Sequence, residues 1–166
     1  EQDPQSLFLD ALYEQALVLL FRLLFIAYAA DKDLLPLRTS GPYERHALKT
    51  LARELAERRN GGGAEFDQKA TDLWEQVHQL SRAVDEGNAD WHVPRYNGGL
   101  FSADADVSAA GAALEAMVLS NGQFGPALEA LLIDETVEDV YGPVDFRTLS
   151  VREFGTIYEG LLESSL

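Results

Sequence analysis

The chain contains no cysteine, which excludes disulfides, thiolate metal sites, cysteine nucleophiles and thiol redox chemistry. Basic residues are scarce, 13 against 28 acidic, for a formal net charge of −15. That balance argues against a free-standing nucleic-acid binder, which needs clustered Lys and Arg to neutralise phosphates, and against an anionic membrane surface. The longest apolar run, residues 16–30, is fifteen residues long and interrupted by Arg22, whereas a membrane helix needs about 20. The N-terminus carries Glu1 and Asp3 in place of the basic stretch of a signal peptide. The single methionine is Met117, so the start is expected to be processed or cut from something larger, with cutting favoured. What remains is 166 residues, 46% of them hydrophobic, enough for one packed domain without staples.

Periodicity is helical almost throughout. Asp3 followed by Pro4 is an N-cap with proline in the first turn, and the helix that follows, to about residue 30, has apolar residues on more than one face. It is therefore expected to be central and largely buried. Residues 34–42 form a connector. Pro42 opens a second helix to about residue 59, with Leu48, Leu51, Ala52 and Leu55 on one face. The glycines of residues 60–63 end it. A third helix is expected over 65–86, carrying Phe66, Ala70, Leu73, Val77, Leu80 and Val84, and the two should form an antiparallel hairpin. Residues 88–107 are aromatic, glycine-containing and aperiodic. Short helices are expected over 109–119 and 126–133, and one short strand near 137–144. Ser150 and Glu153 match a capping box at the start of a last helix with Phe154, Ile157, Tyr158 and Leu161 on its apolar face. The expected fold is mostly α: an irregular multi-helix bundle with a long aromatic and glycine loop and little or no sheet, residues 1–166 forming a single helical domain of a larger multidomain polypeptide.

Catalytic and metal signatures are weak. Asn60 to Gly63 lacks the Lys-Ser/Thr of a phosphate loop, and reads as a plain helix–helix connection. His46, His78 and His92 have no mutual i,i+4 spacing; the first two suit helix surfaces and His92 suits the aromatic loop. Asp67, Gln68 and Lys69 match the tripeptide of a metal-dependent nuclease, without the paired strand that such a site needs. Asp134, Glu135, Glu138 and Asp139 read as a solvated loop before a weak cation site. Residues 38–59 are the one basic stretch, six basic against three acidic. Arg45, Lys49 and Arg53 recur every four residues along its helix. They form either a solvated face, with helix pairs Arg53–Glu57 and Glu54–Arg58, or a contact to DNA phosphates inside a larger assembly.

Two segments are more specific. One is Tyr96, Asn97, Gly98, Gly99, Leu100 and Phe101; the other spans residues 144–163 and contains Phe154, Gly155, Thr156, Ile157, Tyr158, Glu159, Gly160, Leu161, Leu162 and Glu163. In order and spacing they resemble the region just upstream of the catalytic domain in large adenine-specific DNA methyltransferases, the type IIG restriction–modification enzymes and related methyltransferases of phage defence. That family has Leu where Phe154 stands. The early segment 17–36, ending in Leu-Leu-Pro, is similar to the family's first helix.

The resemblance implies a non-catalytic helical spacer that positions modules. Its partners would be its own downstream methyltransferase domain and DNA held by the parent enzyme, in the cytoplasm and without a membrane. S-adenosylmethionine, with Mg as a further candidate, is expected in the parent; no cofactor is expected in this chain. The family's Asn-Pro-Pro-Tyr-like motif is absent from this sequence, so no catalytic, cofactor or metal residue is assigned. The signature residues have physical readings of their own. Asn97 and Gly98 would supply positive φ in a tight turn, Gly99 would allow close backbone approach, and Tyr96 and Phe101 would anchor either side. Gly155 and Gly160 within a helix each cost about 1 kcal/mol against Ala, which close packing could offset. Arg147, Arg152 and Glu159 would pair with each other or with the downstream domain. The alternative to this reading is a free-standing acidic helical adaptor for another protein.

Overall fold

The computed structural model describes residues 3–96, 98–150, 152, 153, 155, 156 and 159; of the signature positions, Asn97 and Tyr158 lie outside the described residues, as do Phe154, Ile157, Gly160 and Leu161. The fold is mostly α, with one two-stranded sheet among the described residues. Helix α1, Pro4–Asp31, starts as expected, the Asp3 carboxylate accepting from the Gln5 N–H. Only its C-terminal half is buried, through Leu23, Leu24, Ile26, Ala27, Ala29 and Ala30. Its N-terminal half leaves Leu7, Phe8, Leu9 and Leu12 exposed, correcting the expectation of a largely buried helix. Taken whole, α1 is long and apolar enough to cross a membrane by length and composition, a test that core helices and signal sequences also pass.

The second expected helix is two, α2, Gly41–His46, and α3, Leu48–Asn60, with Ala47 extended between them at ψ 151°. Tertiary burial explains the break. Tyr43 and Leu48, five residues apart, would point about 140° apart on a continuous helix. Both are buried at 2% exposure or less, which the break allows.

The third, α4, runs Asp72–Glu86, seven residues shorter than expected. Asp67 Oδ1 accepts from the N–H groups of Lys69 and Ala70 at 2.7 and 2.9 Å, drawing the backbone into an Asx turn. The side chain of Asn121 caps α4 from afar, Oδ1 accepting from Leu73 N and Nδ2 donating to Asp72. Phe66, freed from helix duty, lies under the Arg58 guanidinium at 3.6 Å and against Gly125. No hairpin forms between α3 and α4; α6 packs against both.

Helix α5 is Ala109–Ala116 and α6 is Asn121–Leu132. The latter begins five residues before the expected start, because Ser120 and Gln123 form a capping box, and Pro126 is accommodated in its second turn. Strands β1, Ile133–Val137, and β2, Val140–Pro143, form an antiparallel hairpin where one strand was expected, with a bulge between Glu135 and Val137. The core lies where α1, α3, α4 and α6 meet, with Ile26, Leu48, Leu80, Val84, Leu128 and Leu132 fully enclosed.

The aromatic loop is fastened to α1. Arg22, 4% exposed, donates to the carbonyls of Leu100 and Ser102 at 2.7 and 3.1 Å, and Phe25 meets Tyr96 and Phe101 edge-on. The Tyr96 hydroxyl donates to the Leu34 carbonyl. Tyr96 and Phe101 thus both pack against α1. Of the expected positive-φ pair, Asn97 lies outside the described residues and Gly98 is extended at φ −162°; Gly99 opens a 3-10 turn, Gly99–Phe101. The close approach occurs instead at Gly111, where a Cβ would stand 2.0 Å from the Ser102 carbonyl oxygen.

Candidate functional site

The polar site with most chemistry is a cleft of about 630 Å³ lined by Asp31, Leu37, Arg38, Glu44, Lys49, Arg53, Pro143, Asp145 and Arg147. One wall is the end of α1 and the connector after it; α2 and α3 supply a second; the segment leaving β2 supplies the third. Four cations therefore meet in one cleft of a chain whose net charge is −15.

The floor is a buried clip. Asp31, 7% exposed, accepts from Lys49 Nζ at 3.0 Å and from the Phe146 N–H at 2.8 Å, and Lys49 also donates to the Val144 carbonyl at 2.7 Å. The pair joins α1, α3 and residues 144–146. Breaking such a pair costs about 3–5 kcal/mol, because the surviving charge is left buried and unmatched.

The rim is arginine. Arg38 Nη1 holds both oxygens of Asp33 at 2.6 Å. Arg147 donates through Nε and Nη2 to Asp145, whose carboxyl is pushed down to about 2, first by that side chain and then by the Arg147 N–H. The Arg147 guanidinium is raised in turn, chiefly by Asp145, and it also feels Asp31 and Asp33. Arg53 stands 3.9 Å from Glu44, beyond hydrogen-bond distance.

Of the basic stripe, Lys49 and Arg53 enter the cleft and Arg45 does not. Arg45 lies on α2, exposed, on the far side of the break at Ala47, so the three never share one helix face. Lys49 faces inward as a strut and is not the surface contact expected of it. The helix pairs Arg53–Glu57 and Glu54–Arg58 are replaced: Arg53 turns to Glu44, and Arg58 bonds Glu129 at 2.7 Å. Arg147 pairs with Asp145 and with neither Arg152 nor Glu159, which are both exposed. A Cβ on Gly155 would meet open space among the described residues, so no close packing offsets that glycine there.

Each histidine has a partner within the fold. His46 stacks on Trp91 with centroids 4.4 Å apart, His78 bonds Glu115 at 2.7 Å, and His92 meets Ser40 at 3.1 Å while exposed, where packing was expected. Glu115 is held below the usual carboxylate range, first by Arg82. Asp67 is likewise lowered by the N–H groups of Ala70 and Lys69. The acidic cluster of residues 134–139 lies in the hairpin, where Glu135 accepts from the Asp139 N–H at 2.6 Å. Among the described residues no group of three His, Asp or Glu side chains is placed to hold a metal.

Arg38 and Asp31 escaped sequence reasoning. Arg38 belonged to the basic stretch but to no helical repeat, and Asp31 fell at the expected limit of the first helix, outside any motif. No family model, no curated protein and no solved structure matches the chain.

Proposed function

We propose that the chain is the non-catalytic helical connector of a cytoplasmic DNA methyltransferase or restriction–modification polypeptide. The parent activity would be S-adenosylmethionine-dependent methylation of adenine N6, with Mg-dependent cleavage where a nuclease accompanies it. The observation that carries the reading is that both signature segments are fastened to the same helix. Tyr96 and residues 100–102 hang on α1 through Arg22 and Phe25, with Tyr96 also bonded to the Leu34 carbonyl in the connector after it, and residues 144–146 hang on α1 through Asp31. A platform that fixes two such segments at one spacing suits a part whose task is to set the distance between modules and to flank DNA. The chain alone should transfer no methyl group from S-adenosylmethionine to adenine-containing duplex.

Reading the source gene past the codon for Leu166 is the test. The expected result is an open frame that runs into a glycine-rich cofactor motif and an Asn-Pro-Pro-Tyr-like motif. A stop codon there would overturn the connector and favour the free-standing adaptor. The exposed Leu7, Phe8, Leu9 and Leu12 on α1 are the observation that supports this second reading.

A further inference from the structure

The four cations of the cleft are not equivalent. Lys49 is committed to Asp31 and the Val144 carbonyl, and only 18% of its side chain is exposed. The three arginines are 57%, 52% and 59% exposed for Arg38, Arg53 and Arg147. Each also keeps donors in hand. Arg38 uses Nη1 alone, leaving Nε and Nη2; Arg147 leaves Nη1; Arg53 leaves its whole fork, all without a hydrogen-bond partner among the described residues. Three of the acids are engaged, while Glu44, which lines the cleft, has only Arg53 at 3.9 Å among the described residues. Asp145 takes the Arg147 N–H, Nε and Nη2, Asp33 takes Arg38 on both oxygens, and Asp31 takes Lys49 and the Phe146 N–H on Oδ2. Asp33 and Asp145 thus hold Arg38 and Arg147 in place, and all three arginines, which line the cleft, keep unspent N–H donors.

Guanidinium forks match the oxygens of carboxylate and phosphate. A planar carboxylate has two oxygens and is filled by a single fork. Donors offered from three walls suit a tetrahedral group with more oxygens to share. We propose that Arg38, Arg53 and Arg147 form a phosphate site, closing on one phosphate group at the mouth of this cleft. The phosphate belongs either to a nucleic-acid backbone or to a free phosphate compound. In the first case the inference rests on the connector reading; in the second it stands without it. The −15 of the whole chain repels any anion at long range, so attraction is confined to the Debye length, about 10 Å at 0.1 M salt. Salt dependence is then shallow, about one unit of log K per unit of log salt for each phosphate engaged.

The test uses the 166-residue chain with two probes, inorganic pyrophosphate by calorimetry and a fluorescent short DNA duplex by anisotropy, both at low salt. Arg38→Gln and Arg53→Gln each remove one exposed cation from the cleft. Arg45→Gln removes the same charge outside it and is the control. Binding of either probe, weakened about tenfold by each cleft variant and about twofold or less by the control, is the expected result. Pyrophosphate binding without duplex binding assigns a free phosphate ligand; duplex binding without pyrophosphate binding assigns the backbone; both support the site. Binding of neither probe overturns it, and so does a loss equal in Arg45→Gln, which would reduce the effect to net charge. Failure here leaves the reading frame past Leu166 untouched, and a stop codon there leaves the pyrophosphate result untouched.

Discussion

Tyr43 is fully buried, and its hydroxyl is the one buried side-chain polar atom without a hydrogen-bond partner among the described residues. Burial raises the phenol above its ordinary value, and the neighbouring Tyr96 adds to the rise. A group raised in the folded state contributes stability below its unfolded pKa, about 10 for tyrosine, and that contribution is lost as pH climbs past it. The unfolded chain can then ionise the phenol while the folded chain cannot. Urea unfolding of the chain should therefore show stability falling above about pH 10. Tyr43→Phe should flatten part of that fall, and at neutral pH it should be neutral or stabilising by up to about 1 kcal/mol, since an unsatisfied buried hydroxyl is removed. A clear loss of stability at neutral pH in Tyr43→Phe would sink the idea, because it would mean the hydroxyl has a partner. Local chemistry of this kind divides by range. The Asp3 cap and the reciprocal Ser150–Glu153 box were legible because both partners lie within three residues. The state of the Tyr43 hydroxyl was not, because it depends on what the rest of the chain puts around it.

At the scale of elements, apolar periodicity located the helices and long-range contacts decided their ends. Leu73, Val77, Leu80 and Val84 do form the buried face of α4. Phe66 and Ala70 continue the same rhythm, yet Asp67 turns the backbone aside, and the capping group of α4 comes from Asn121, 48 residues away from the Leu73 it binds. The β-hairpin shows the same dependence. Asn60, the last residue of α3, donates through Nδ2 to the Tyr141 carbonyl at 3.0 Å and accepts on Oδ1 from the Tyr141 N–H at 2.8 Å. One side-chain amide thus imitates a neighbouring strand and closes the free edge of β2 at that residue. In the sequence Asn60 looked like the opening of a glycine loop. Asn60→Ala should loosen the hairpin without unfolding the bundle, by about 1 kcal/mol for an exposed pair of bonds. Amide exchange at Tyr141 should accelerate while exchange at Leu80 and Leu128, in the enclosed core, is unchanged. Equal protection of Tyr141 in the variant would show that the Asn60 amide is not what shields it.

For the molecule as a whole, composition made the excess of acidic charge visible and hid how the few cations are arranged. Lys49 and Arg53 were noticed as part of one helical stripe and Arg147 as part of a signature segment. Their meeting depends on the Asp31 clip, which ties residues 31, 49 and 144–146 together across more than a hundred positions of chain. Outside the cleft, the surplus of acids repels itself in the compact state. Two opposing salt effects follow. Screening weakens the exposed pairs Arg38–Asp33, Arg53–Glu44 and Arg147–Asp145, but such pairs contribute only about 0–1 kcal/mol each. Screening also relieves repulsion summed over a net −15, which is released on unfolding, and the buried Asp31–Lys49 pair is largely shielded from it. Relief should win. Thermal unfolding at neutral pH should move upward between about 10 mM and 0.15 M NaCl, over which the Debye length shrinks from about 30 to about 8 Å. A gain of about 1 kcal/mol would raise Tm by about 2–4 °C for a chain of this size. A falling Tm would reverse the ranking and make the cleft's ion pairs the larger contributors to stability; in that case Arg38→Gln and Arg53→Gln would lower Tm at low salt, where the repulsion account predicts almost no change from either.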